Sequence, residues 1–213
     1  MSRRWAAALV LTLGAGCLGE LPRMRYYDLR TENIEPQNNG ARLVLGVAPF
    51  EVDPTYDDVR MVYRTSPYQI DYYEYHQWSA PPGLLVQSYF QRALQETRLF
   101  ERVVSAPNPN AEGTLSGRIE ALEEVDISDE RWVGRVQLEL ELRDAEGETQ
   151  WAMRFQEQRE VEPRSPAGLA RAISAALANI VQRAAPKIAS ASNTYLPSRD
   201  APLKPEPRAG TSD

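Results

Sequence analysis

Apolar and polar residues alternate along three segments between residues 114 and 160, and this is the clearest pattern in the chain. A side-chain period of two buries one face of a strand and leaves the other in water. Asp144-Ala145-Glu146-Gly147, which separates the second segment from the third, has the composition of a hairpin turn with positive φ at the glycine. The pattern therefore predicts an antiparallel meander of three long strands.

Two other segments carry apolar residues at helical spacing. The first begins near Ser79, whose hydroxyl we expect to cap the helix, and Pro81-Pro82 stands in its first turn. This helix should end near residue 97. The second begins at Ser165-Pro166 and has a single apolar stripe, which predicts a helix that covers the buried face of the sheet. The stripe consists of Leu169, Ile173, Leu177, Ile180 and Ala184.

Shorter strands are expected around these elements. The continuous apolar run Leu43–Ala48 predicts a buried central strand. The segments 59–64 and 68–75, joined by a turn at Thr65-Ser66-Pro67, predict a hairpin. A short strand is expected at 100–104, and Tyr26–Leu29 is apolar enough to dock as a first strand. The fold class is then α+β, an antiparallel-rich sheet with two amphipathic helices packed on one face.

The N-terminus has the layout of a secretory signal peptide. Arg3 and Arg4 precede the apolar run Trp5–Leu13, which is too short for a bilayer span of ~20 residues. Small residues then end at Cys17, as in a bacterial lipobox, although Gly14 stands where leucine is usual. The alternative is a plain secretory peptide with a bystander cysteine.

Cys17 is the single cysteine of the chain and cannot form an internal disulfide. Acylation explains an otherwise free thiol, and two or more acyl chains anchor a protein stably. We therefore expect lipidation of Cys17, with palmitate among the attached acyl chains. The organisation predicted from these features is a signal peptide at 1–16, a lipidated tether at 17–40, one domain at 41–189 and a disordered proline-rich tail at 190–213.

The charge and composition of the chain argue against several classes of function. Cleavage before Cys17 removes two arginines and leaves 22 basic residues against 30 acidic ones, a net charge of −8. Such a chain is a poor candidate for binding nucleic acid or an anionic lipid surface. With one histidine and one cysteine it has too few ligands for an ordinary zinc site, and it lacks a nucleophile elbow and a phosphate loop.

We therefore expect no enzyme activity, no cofactor and no metal. The carboxylate pairs Asp57-Asp58 and Glu123-Glu124 are expected at the solvated surface. A hydrolase that uses carboxylates alone is the remaining catalytic alternative.

The segment from Tyr68 to Trp78 is unusually aromatic. One interpretation is a strand that packs its rings into the core. The other is a partner-binding surface, because tyrosine and tryptophan are enriched at interface hot spots. Both can hold, since Tyr73 and Tyr75 should share one face of a strand and Tyr72 the other. The candidate partner-binding residues are Tyr72, Tyr73, Tyr75, His76 and Trp78.

With the cysteine leader, these motifs resemble the auxiliary lipoproteins of ABC-type transport systems, including the lipoprotein component of the paraquat-inducible systems. The most specific element is Trp78-Ser79-Ala80-Pro81-Pro82, followed by Leu84-Leu85. The resemblance covers roughly residues 17 to 185. Each motif is weakly specific by itself, and the resemblance rests on their order and spacing. The other matching segments are Tyr26–Leu29, Leu45–Phe50, Arg60–Arg64 and Ile70–Gln77.

The resemblance implies a non-catalytic lipoprotein of a Gram-negative envelope, which docks on an MCE-domain protein in the periplasm. Through that protein it would serve an ABC permease and ATPase that move lipids between membranes. Contact with lipid cargo and a symmetric homo-oligomer are further implications. Leu18 follows the cysteine, and by the usual sorting rule this favours the outer membrane. The alternative function is an assembly factor or an activator of a cell-wall synthase.

Overall fold

The computed structural model describes residues 22–37 and 41–195. The expected signal peptide, Cys17 and the last part of the expected tail lie outside the described residues. The fold is α+β, as predicted, with two helices and one nine-stranded sheet in this part of the chain. The strands are β1 (Arg25–Tyr27), β2 (Ala41–Val47), β3 (Glu51–Val52), β4 (Arg60–Ser66), β5 (Gln69–Trp78), β6 (Phe100–Ser105), β7 (Gly113–Ser128), β8 (Arg131–Asp144) and β9 (Thr149–Glu160). The helices are α1 (Pro82–Glu96) and α2 (Pro166–Tyr195).

The three long strands β7, β8 and β9 form the predicted antiparallel meander. β7 pairs with β8 from Gly113↔Asp144 to Ser128↔Arg131. The turn into β9 contains Gly147 at φ +90°, a conformation that glycine adopts without steric cost. The alternation of apolar and polar residues thus predicted these three strands correctly.

The other edge of β7 pairs with three short strands arranged one after another: β2, β3 and β4, each parallel to β7. β2 lies between β6 and β7, which confirms the prediction of a central strand. β4 and β5 form the predicted antiparallel hairpin. The parallel pairs were not indicated by the alternation, because each involves only a few residues.

The N-terminal segment belongs to the domain more fully than its polar composition indicated. β1 pairs in parallel with the end of β5, through Arg25↔His76 and Tyr27↔Trp78. Leu29 is fully buried, and the backbone N–H of Gln37 donates to the carbonyl of Thr97 (2.8 Å). The predicted tether at 17–40 is therefore too long, since the chain already pairs with the sheet at Arg25–Tyr27 and is buried at Leu29.

Both helices pack on one face of the sheet, and every residue of the predicted α2 stripe is fully buried. α2 continues to Tyr195, and the side chain of Ser192 is buried with its hydroxyl donating to the carbonyl of Ala189 (2.8 Å). The boundary of the predicted tail at 190 was therefore wrong by at least six residues. No helix within the described ranges is both long and apolar enough to span a membrane.

The start of α1 differs from the prediction in its cap. Pro81 occupies the N-cap position, and no side chain bonds to the free N–H groups of the first turn. The hydroxyl of Ser79 instead reaches Asp28 Oδ1 at 3.4 Å. Proline in the first turn remains the local signal that sets this helix start, because its φ is already helical.

Candidate functional site

Strand β5 carries all five candidate residues, and an irregularity in its pairing decides how they face. Val62 of β4 pairs with Tyr72, but Arg60 pairs with Gln77, so β5 bulges between these positions. Tyr72 and Tyr73 lie on opposite faces, as predicted. The bulge brings His76 onto the face of Tyr73, where their rings meet edge to face at 5.6 Å.

Trp78 is not part of any accessible surface in the monomer. Its side chain is 2% exposed and lies in the main core cluster. The sequence alone did not separate Trp78 from its neighbours, because Trp is common both in cores and at interfaces. Trp78 packs in the core where β5 ends and α1 follows, so its side chain is not accessible to a partner in this structure.

His76 is held between two tyrosines. A hydrogen bond of 2.8 Å joins its Nδ1 to Tyr27 Oη, and the Tyr27 and His76 rings lie 5.6 Å apart. Burial and the nearby charge of Arg25 lower the pKa of His76. The imidazole therefore stays neutral at pH 7 and ties β1 to β5.

Tyr72 lies on the face of the sheet opposite the helices. Its hydroxyl donates to the carbonyl of Thr55 (2.9 Å), and the guanidinium of Arg60 lies 4.5 Å from its ring centroid. Tyr75 is only partly buried, and a hydrogen bond to Glu74 raises its pKa. Tyr75 is thus the least constrained of the five candidates.

An open depression of about 440 Å³ lies beside β5. Four aromatic side chains and four carboxylates form its lining, and none of the described residues that line it is basic. The rings of Tyr63 and Tyr73 lie 5.0 Å apart within it. The lining residues are Tyr63, Asp71, Tyr72, Tyr73, Glu74, Glu124, Asp126 and Trp132.

Glu124 is the most buried carboxylate of this depression, at 1% exposure. Its Oε1 accepts a hydrogen bond from the Tyr73 hydroxyl (2.9 Å). Its Oε2 and Oδ1 of Asp126 are buried without a partner among the described residues. Burial raises the pKa of Glu124 to about 7, against the hydrogen bond from Tyr73, which lowers it. Burial also raises the pKa of Asp126.

The preceding residue, Glu123, is equally buried but points to the other face of the sheet. Two arginines neutralise it. Arg64 Nε donates to Oε2 (3.2 Å) and Arg135 Nε donates to Oε1 (2.9 Å), with a second, shorter contact from Arg135 NH2. The prediction that the pair Glu123-Glu124 lies at the solvated surface was therefore wrong.

These two glutamates, with Asp126, Tyr63 and Trp132, were missed as site residues. The sequence held only a weak indication that these two glutamates are buried. Glu123 and Glu124 interrupt the apolar residues Leu122 and Val125 on a strand whose two faces are both covered. Two adjacent charges in a chain with 30 acidic residues are usually on the surface, and the paired arginines lie far away in sequence.

A larger depression, of about 710 Å³, lies on the face opposite the helices. There Arg118 and Arg143 lie among Glu51, Glu139 and Glu141, so charges of both signs are present. No cluster of three or more potential metal ligands occurs within the described ranges. The depression beside β5 is therefore the one that combines burial, a single sign of charge and aromatic walls.

Comparison with known protein families identifies the family of this chain. The family model of the ABC-type transport auxiliary lipoprotein component matches residues 27–185. This protein belongs to that family. The match begins at the last residue of β1 and ends in α2, so it covers β2 to β9, and it confirms the resemblance carried by the sequence motifs. As a member of a lipoprotein family, the chain is a cell-envelope lipoprotein associated with ABC-type transport.

Two of the similar solved structures share the fold of this auxiliary lipoprotein at low identity. Protein XCC0632 from Xanthomonas campestris aligns with a TM-score of 0.71 at 15% identity, over 80% of this chain and 97% of that one. An uncharacterized protein aligns with a TM-score of 0.65 at 16% identity, over 78% and 99%. The PelC dodecamer from Paraburkholderia phytofirmans reaches 0.42 at 18% identity, over 70% and 91%. No protein with a curated description matches.

Proposed function

We propose that this auxiliary lipoprotein is a non-catalytic component of an MCE-type intermembrane lipid transport system, anchored in the outer membrane and facing the periplasm. The family match over residues 27–185 carries the proposal. The MCE-domain protein is the direct partner, and the permease and ATPase are reached through it. Leu18 after the lipidated cysteine supports the outer membrane.

Lipidation of Cys17 would hold the domain close to the membrane. Seven residues lie between Cys17 and Arg25, where the chain joins the sheet, so eight residue-to-residue steps connect the two. An extended chain spans at most ~3.3–3.6 Å per residue, so the domain stays within about 30 Å of its anchor. This short reach supports docking on a partner that itself approaches the membrane.

A non-catalytic role is supported by the state of the titratable groups. His76, the single histidine, is bonded to Tyr27 and packed against Tyr73. Glu123 is neutralised by two arginines. Exposed aromatic residues are available for protein contact instead, since Tyr68 at the β4–β5 turn is 99% exposed. We place the docking surface along β5 and this turn, and Tyr72, Tyr73, Tyr75 and His76 are its candidate contact residues.

Crosslinked affinity purification from cell envelopes, read by mass spectrometry, tests the proposal. The wild-type protein should recover an MCE-domain protein together with its permease and ATPase. A Cys17→Ala variant, which cannot be acylated, should recover much less of all three. A Tyr68→Ala variant keeps the anchor and should weaken recovery through the docking surface alone.

Recovery of cell-wall synthases or assembly factors in place of the transporter would overturn the proposal in favour of the alternative function. Equal recovery by wild type and Cys17→Ala would overturn the role of the anchor. An activity abolished by a single carboxylate substitution, in a protein that remains folded, would contradict the non-catalytic role.

A further inference from the structure

The depression beside β5 contains two neighbouring buried carboxyl groups, and none of its described lining residues is basic. Glu124 lines it, is 1% exposed, and leaves Oε2 without a partner. Oδ1 of Asp126 is likewise buried and unpartnered. Buried carboxylate oxygens without partners are rare in native proteins because each costs desolvation free energy, so each requires an explanation.

Glu123 shows how this fold satisfies a buried glutamate. Arg64 and Arg135 come from the strands on either side of β7 and occupy both carboxylate oxygens. On the opposite face, Glu124 is paired with Tyr63 on β4 and Gly134 on β8, and neither is charged. Trp132 on β8 is paired with Asp126 and lines the same depression. The aromatic walls and the open mouth leave room for a cation from outside the chain.

We propose that the Glu124–Asp126 depression is a binding site for a guanidinium or ammonium group, supplied by an arginine or lysine side chain of a partner protein. Aromatic faces attract such cations, most strongly where water is excluded. Tyr63, Tyr73 and Trp132 would flank the group, with Asp71 and Glu74 at the mouth. The bound cation would donate hydrogen bonds to the unpartnered oxygens, as Arg64 and Arg135 do to those of Glu123.

Charge favours a protein side chain over a lipid headgroup. A zwitterionic headgroup carries a phosphate next to its ammonium, and the four carboxylates of this depression would repel that phosphate. None of the described lining residues is a lysine, an arginine or a histidine that could bind the phosphate. The identification of the source as a protein rests on the proposed function, whereas the cation site itself rests on the geometry alone.

Glu124→Gln is the decisive variant because it keeps the shape and the hydrogen bonds of the protonated glutamate. The amide oxygen still accepts from the Tyr73 hydroxyl, and the amide N–H can donate to Asp126. The variant should therefore fold normally but lack the charge. Glu146→Gln removes the same charge from the exposed β8–β9 turn and serves as the matched control.

The test is isothermal titration calorimetry on the full mature lipoprotein in a non-ionic detergent. The probe is the peptide acetyl-Gly-Ser-Arg-Ser-Gly-amide, and a peptide with neutral citrulline in place of arginine is its control. We expect saturable binding of the arginine peptide only. Glu124→Gln should weaken it at least about tenfold, the range expected for a buried charge partner, and Glu146→Gln should leave it unchanged.

Binding should also release a proton, seen as a heat that depends on the ionisation enthalpy of the buffer. The reason is that the cation replaces a proton held between Glu124 and Asp126. Citrulline binding as tight as arginine binding, or unchanged binding by Glu124→Gln, would overturn the site. Glu124-dependent binding to phosphatidylethanolamine vesicles but not to the peptide would overturn the protein source. None of these results depends on the transporter, so the proposed function fails or stands separately.

Discussion

Glu123 and Glu124 are consecutive residues of β7, equally buried, and they occupy opposite faces of one sheet in opposite states. Glu123 is enclosed by two arginines and has both oxygens bonded. Glu124 has one tyrosine hydroxyl and an unpartnered oxygen beside a second acid. The burial is the same, and only the neighbouring side chains differ.

Glu123 therefore stabilises the fold, whereas the cation site that we propose would give Glu124 a role in binding. A buried ion pair with complete hydrogen bonds is a closed unit that holds β4, β7 and β8 together. An incomplete site stores unfavourable free energy that a ligand can relieve, and such sites are where native proteins depart from locally optimal packing. Four substitutions test this contrast.

The largest effect is expected at Glu123. Glu123→Gln leaves Arg64 and Arg135 without an anion, and their side chains are only 19% and 25% exposed. We expect the free energy of unfolding to fall by about 3 kcal/mol, the lower end for a broken buried pair, because the arginines retain some solvent. Urea unfolding measures it. A loss below about 1 kcal/mol would mean that the pair is no more than a surface salt bridge.

Glu124→Gln should have the opposite sign and depend on pH. The pKa of Glu124 is about 7 in the native protein and near 4.5 in the unfolded chain. Between these values the native state binds more protons, so the wild-type free energy of unfolding falls as pH rises. The fall from about pH 5 to about pH 8 should be about 2.5 kcal/mol at 1.36 kcal/mol per pKa unit.

In Glu124→Gln this contribution to the pH dependence should disappear, which leaves the variant more stable than wild type at the higher pH. Urea unfolding at both pH values, with Glu146→Gln as control, measures the difference. Parallel pH profiles for wild type and Glu124→Gln would show that Glu124 is ionised throughout.

The smallest effect is expected at the tyrosines on the two faces. Tyr73→Phe removes the hydroxyl that donates to Glu124, and Tyr72→Phe removes one that donates to the Thr55 carbonyl. Each should cost about 1 kcal/mol. The Tyr73→Phe loss should be greater above pH 7, where ionised Glu124 accepts the bond, whereas the Tyr72→Phe loss should not vary with pH. Equal pH dependence in both variants would contradict the contrast between the faces.

Regular periodicity made most of the fold predictable. The meander β7–β9, the turn at Gly147 and the α2 stripe were all correct, because each depends on neighbours in sequence or on one repeating face. The segment Trp78–Pro82 carried the family resemblance, and the structure shows Trp78 in the core just before α1. A motif at such a junction preserves a fold even when it makes no contact with a partner.

The errors share a different cause. The expected docking of Tyr26–Leu29 as a first strand was correct, but the tether was extended to residue 40 because three residues that pair with a distant strand leave no periodic pattern. The state of Glu124 was invisible for the same reason, since its neighbours Tyr73 and Trp132 come from other strands. Local composition contains no information about which strand lies beside which.

The sequence by itself determined the α+β class, the long strands, both helices, the family and the acidic charge. These features follow from local propensity, period and composition. Tertiary structure alone decided that Glu123 meets two arginines while Glu124 meets none. The free energy of a buried charge depends on the few groups within hydrogen-bond reach, and those groups are brought together by pairing between distant segments.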